Sequence, residues 1–139
     1  MASPATNFIR RIILLGNGLT FLLLGAYVLF ATHKAAYFYG YTLNGVDGLN
    51  EFRAVYIGFW FGLTILFFTA ARRLNIALVG DLALILVLMQ ALGRLLSFAV
   101  DGIPSPRFIF FFFLEIVSSL IGLAMRPPIL QLTIFPGTV

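Results

Sequence analysis

Cysteine is absent from the 139-residue chain, so disulfides, thiolate nucleophiles and cysteine metal sites are excluded together. Histidine occurs once, as His33, and no Ser–His–acid set, metal-ligand cluster or phosphate-binding loop accompanies it. Enzymatic chemistry therefore ranks last among the functions considered, and no cofactor or metal site is read. Charge is scarce as well: 10% of residues are charged, against about a quarter in soluble domains. Five acidic and nine basic residues leave a net charge of +4. No basic tract of the kind that follows a phosphate backbone is present, which argues against nucleic acid as a partner. Internal repeats and low-complexity tracts are missing too, and the length suits a single domain.

What the chain has is apolar length. Hydrophobic residues make up 61% of it, and the mean hydropathy is +1.05. A globule this small has too much surface for its volume to hide so much apolar side chain from water. Four apolar stretches, at residues 12–31, 53–71, 74–100 and 108–125, each come near the ~20 residues that cross ~30 Å of hydrocarbon. They do not alternate and are too few for a barrel, so they predict helices. The expected fold is all-α: an integral-membrane four-helix bundle, antiparallel and up-down, forming one membrane domain over residues 1–139. Arg10 and Arg11 precede the first stretch as they would in a signal peptide. Its length, however, exceeds the ~7–15 residues of a signal-peptide core and predicts a retained anchor. Pro127 and Pro128 stop the fourth helix, and the tail over 129–139 opens with an apolar run too short to span. That run is expected in the inner interface or against a partner.

Orientation follows from the placement of Lys and Arg. Arg10, Arg11, Arg72, Arg73 and Arg126 fall on one side of the four spans, and Lys34, Arg53 and Arg107 on the other. Positive charge collects in cytoplasmic segments, so both termini are expected in the cytoplasm. The long connection over 32–50 begins with a tyrosine-rich stretch that suits the outer headgroup layer and ends in turn chemistry. Asn50 reads as the N-cap of the second helix, with Glu51 in its first turn.

Ionisable residues inside a span are costly and need a partner or a wet cavity. Arg94 lies seven residues before Asp101, and Glu115 eight after Arg107. At 1.5 Å per residue the two sit ~10 and ~12 Å below the same end. An ion pair between them is the economical way to bury both. Gln90, Arg94, Ser97 and Asp101 share a stripe within about 60° on the third helix, and Glu115, Ser118, Ser119 and Gly122 share a face of the fourth. With Arg53 and Tyr56 at the outer end of the second helix, these residues predict a polar pocket. Its floor is Gln90 and Ser118 and its rim Glu51, Arg53 and Asp101. The same cluster reads equally as interhelical glue, worth roughly 0.6–2 kcal/mol per contact. Asp81 lies on the opposite face, within reach of Arg72, Arg73 or Arg11, and reads as a helix-end charge that fixes topology. Gly58 and Gly62 form a G-x-x-x-G, and Gly93 with Ser97 and Ser118 with Gly122 repeat the small-residue spacing that lets helices approach. The phenylalanine run over 108–113 is expected to face lipid or a partner.

Two motifs resemble a known family. Asn50, Glu51, Arg53, Ala54, Tyr56 and Gly58 form an N-E-x-R-A-x-Y-x-G helix start. Gly93, Arg94, Ser97, Asp101, Gly102 and Pro104 form a G-R-x-x-S-x-x-x-D-G-x-P helix end. Together, over roughly 50–125, they resemble a family of small four-helix bacterial membrane proteins without an assigned function. Ile57 departs from the paired glycines expected after the tyrosine. The resemblance implies a bacterial, multi-pass inner-membrane protein and supplies no activity. Three functions compete. The first is non-enzymatic: binding of a small polar or lipid-like ligand in the pocket, or service as an accessory subunit. Homodimer or larger-complex contacts would then run through Gly58 and Gly62 or the phenylalanine-rich helix. The second is a small dimeric proton-coupled transporter using Glu115. The third is a lipid- or quinone-modifying enzyme.

Overall fold

The computed structural model describes residues 3–127. The apolar tail over 129–139 lies outside the described residues, as does Pro128. Among those described there is no strand. Helix α1 (Pro4–Phe30) starts well before residue 12, because Ser3 accepts the Thr6 amide at 3.1 Å and Pro4 occupies the first turn, where its missing N–H costs nothing. A second helix, α2 (Thr32–Tyr39), fills the first part of the expected loop and ends at Gly40, whose φ of 80° favours glycine. Helix α3 (Gly45–Arg53) follows, with Asn44 rather than Asn50 at its N-cap. It continues through one π-helical segment (Ala54–Phe59) into α4 (Trp60–Arg72). Helices α5 (Ala77–Val100) and α6 (Pro106–Ala124) complete the described elements. Four helical stretches, Pro4–Phe30, Gly45–Arg72, Ala77–Val100 and Pro106–Ala124, are long and apolar enough to cross a membrane.

On α1, Leu14, Gly18, Phe21, Gly25 and Val28 are buried at alternating spacings of four and three, the seam of two helices packed lengthwise. The partner is α4. Phe21 stacks on Phe67 with ring centres 6.0 Å apart and meets Trp60 edge-on at 6.1 Å. The close approach depends on missing side chains: a Cβ on Gly18 would stand 2.8 Å from the Phe68 ring, and one on Gly25 2.9 Å from Phe61. Between α5 and α6 the contacts run in opposite numerical order, with Leu84 against Gly122, Arg94 against Glu115 and Phe98 against Phe112. Large apolar side chains such as Phe30, Leu96, Phe110 and Phe113 point outward. That surface suits a hydrocarbon solvent, where an exposed apolar group carries no cost.

The small-residue pairs read from the sequence take different roles. A Cβ on Gly58, Gly62 or Gly93 would meet nothing within 4 Å, so these glycines line open faces instead of helix contacts. Gly80 and Gly122, like Gly18 and Gly25, are tight: a Cβ would come within 2.8 Å of Arg10 Nη2 and 2.7 Å of Leu84, respectively. Gly80→Ala is therefore expected to lower stability by about 1–3 kcal/mol through overpacking. Gly93→Ala should be neutral or stabilise by up to ~1 kcal/mol through helix propensity. Unfolding of both variants in mixed micelles, with helicity as the readout, measures the contrast.

Candidate functional site

Two charged clusters lie in opposite halves of the helices. At the end bearing α2, α5 presents Gln90 and Arg94 one turn apart, facing Glu115 on α6. Arg94 Nε donates to Glu115 Oε2 at 2.9 Å, and Nη2 donates to Oε1 at 3.1 Å. Gln90 Nε2 donates to the same Oε1 at 2.8 Å. The forked guanidinium thus matches a carboxylate whose two oxygens are both engaged. The Arg94 side chain is 23% exposed and that of Glu115 11%. One turn further along α6, Ser118 Oγ lies 3.4 Å from both Asn17 Oδ1 and the Glu115 carbonyl, which brings α1 to the cluster.

A cleft of about 420 Å³ opens beside this pair, between the π-helical segment and α5. Tyr39, Tyr56, Trp60 and Phe108 form aromatic walls, and Gln90, Gly93, Arg94 and Ser97 the polar side. A smaller, more enclosed space of about 40 Å³, bordered by Asn17, Thr20 and Glu115, continues from it past Tyr39, Trp60, Gln90 and Arg94. The wider turn of the π segment sets the aromatic wall. Tyr56 stacks on Phe52 at 4.5 Å and on Tyr39 at 5.3 Å, meets Trp60 edge-on at 4.8 Å, and donates to the Tyr41 hydroxyl at 2.8 Å. Such single π turns often mark functional positions. Burial pushes the Tyr39 hydroxyl up to about 12, against the opposing pull of the Arg94 charge. It stays a neutral donor across the physiological range.

Not every residue read into the pocket joins it. Ser97 lines the cleft but donates to Asp101 at 3.0 Å, and that carboxylate stays on the exposed end of α5, outside the cleft. Glu51 borders a separate groove with Phe52 and Tyr41, and Arg53 is exposed, with no ion pair among the described residues. The cause is Phe52: it is buried, so its two neighbours are each turned about 100° away from the core. Ser118 sits behind the pair, not on the cleft floor. The phenylalanine run divides, with Phe110 and Phe113 exposed, Phe112 on Phe98 and Phe108 in the cleft. Sequence reasoning missed Asn17, Tyr39 and Trp60. An asparagine within an apolar span was the one available signal.

The opposite end holds the second cluster. Asp81 is paired there, but by Arg10 and Arg126, not by Arg72, Arg73 or Arg11. Arg10 is 1% exposed and lies within α1, not ahead of its span. Its Nη2 donates to Asp81 Oδ1 at 2.6 Å and to the Ala77 carbonyl at 3.0 Å, and its Nη1 to the Gly122 carbonyl at 2.8 Å. Arg126 Nε reaches Asp81 Oδ2 at 2.7 Å. Gly122 belongs to the last turn of α6, whose carbonyls have no helical partner, so a cation from α1 caps that helix. Arg11 does the same for α4, donating through Nε to the Ala71 carbonyl at 3.0 Å. Arg10 and Arg11, two of the five arginines expected to mark topology, thus also act as helix caps.

Four membrane-length apolar helices with charged clusters tucked between them have the features of a multi-pass membrane protein. The chain belongs to the family described as a domain of unknown function (DUF4345), which matches residues 9–125. No curated protein and no solved structure matches the chain.

Proposed function

We propose that the protein is a non-enzymatic, multi-pass membrane protein that binds a small amphiphile in the cleft between the π-helical segment and α5. The carrying observation is a cleft of about 420 Å³ whose polar side, Gln90 and Arg94, lies well within a candidate span, while its mouth is apolar. That volume falls within the ~300–1,000 Å³ of small-molecule sites, which combine mostly apolar walls with a few fixed polar groups. The helices run antiparallel in an up-down order, as the opposed α5–α6 contacts support. Both termini are cytoplasmic, in keeping with the basic residues near the Arg10 end. The cleft then opens in the outer half of the bilayer. Proton-coupled transport is less well supported, because Glu115 is held by three donated hydrogen bonds and a coupling carboxylate must release its partner.

Gly93 supplies the test. It lines the cleft, and its missing side chain leaves open space. Gly93→Phe is expected to fill the cleft while leaving the Arg94–Glu115 pair and the unfolding midpoint intact. Native mass spectrometry of protein released from its own membranes should show an amphiphile bound to the parent and lost from the variant. An equal load of the same molecule on both proteins overturns the reading.

A further inference from the structure

We infer that the occupant of the cleft is an uncharged, flat-ringed amphiphile bearing carbonyl oxygens, the quinone class, and not a phosphate- or ammonium-headed lipid. The inference rests on the reading of the cleft as a binding site and adds the chemistry of the ligand.

Charge is the first constraint. Arg94 borders the cleft and Glu115 stands 2.9 Å behind it, outside the lining, so the pair carries no net charge. An anionic head drawn to the open side of Arg94 meets the Glu115 carboxylate just behind it. A cationic head drawn to Glu115 meets Arg94. In either case the head gives up its hydration without a counter-charge left to replace it.

Hydrogen bonding is the second. Both oxygens of Glu115 already accept from the protein, so the cleft offers little to a donor-rich head such as an amine or a sugar. Donors are in surplus. Arg94 Nη1 has no acceptor among the described residues, and Arg94 and the phenol of Tyr39 both border the cleft. A planar guanidinium edge and a neutral phenol suit neutral carbonyl oxygens.

Shape is the third. Tyr39, Tyr56, Trp60 and Phe108 present ring faces and edges that stack with a flat ring better than with a branched glycerol head. At the mouth, Val55 and Phe59 are exposed, giving a hydrocarbon tail an apolar path out of the cleft.

Trp60 is the only tryptophan in the chain and lines the cleft, so its fluorescence reports on this site alone. The full-length protein in lipid nanodiscs is titrated with decylubiquinone, then challenged with dodecyl phosphate and with dodecyltrimethylammonium. The expected result is saturable quenching of Trp60 by the quinone that neither charged amphiphile reverses. Arg94→Lys keeps the positive charge beside Glu115 but loses the flat fork, and should weaken binding by about tenfold. Gly93→Phe should leave only the linear quenching of a probe dissolved in lipid. Competition by dodecyl phosphate as strong as by the quinone overturns the inference while the cleft remains a binding site. Quenching without saturation overturns it as well, and a native amphiphile still displaced by Gly93→Phe would then preserve the wider reading.

Discussion

Asp81→Leu is expected to be among the most damaging single substitutions in the chain, at about 3–5 kcal/mol of stability, because it strands a buried arginine that cannot discharge itself. Arg10 is 1% exposed, and its only carboxylate partner among the described residues is Asp81 at 2.6 Å. A stranded acid or lysine can shed its charge by taking up or losing a proton. Arginine keeps its charge under all ordinary conditions, so the variant must either hold a bare cation among α1, α5 and α6 or open the helices to water. Arg126→Ala removes the other partner, whose side chain is 42% exposed, and should cost no more than ~1 kcal/mol. The double variant Arg10→Met with Asp81→Leu removes both charges and should recover much of the loss. It falls short of full recovery, because the Gly122 carbonyl at the end of α6 loses the cap that Arg10 supplied at 2.8 Å. Unfolding in mixed micelles, followed by helicity, ranks the three proteins. An Asp81→Leu variant within 1 kcal/mol of the parent would show that Arg10 escapes to solvent and that the cluster is not a lock.

The helices and this lock differ in how far the sequence discloses them. Apolar runs near the length of a bilayer declare themselves residue by residue, so four helices long enough to span could be read directly. Their ends depend on single residues. Ser3 before Pro4 is a readable N-cap, but the apolar run itself begins only at residue 12. The π segment over Ala54–Phe59, beside which the Phe52, Tyr56 and Tyr39 rings pack against one another, leaves no local signature. The Arg94–Glu115 contact was legible for a geometric reason: a short connection ties the depth of one helix to that of the next, and helix rise supplies the rest. No such tether links Arg10 on α1 to Asp81 on α5, 71 positions apart. A pair of arginines near the N-terminus also has a simpler reading as a topology signal. Glu51 and Arg53 misled for the converse reason, because a buried Phe52 between them points both away from the cleft.

At the other cluster the order of damage should itself reveal which charge is harder to strand. Glu115→Leu leaves Arg94 unpaired beside an apolar cleft and is expected to cost about 2–4 kcal/mol, discounted from a fully buried pair by the 23% exposure of the Arg94 side chain. Arg94→Leu leaves Glu115, which keeps the Gln90 amide at 2.8 Å and can take up a proton, so it should cost less, about 1–2 kcal/mol. Arg94→Leu with Glu115→Leu removes both charges and should be the mildest of the three, since two matched apolar groups replace a desolvated pair in an apolar solvent. The coupling energy from this double-mutant cycle separates an ion pair from two independent polar residues. Strict additivity of the single costs would mean that Arg94 and Glu115 do not depend on one another, and the neutral cleft that selects an uncharged ligand would lose its basis.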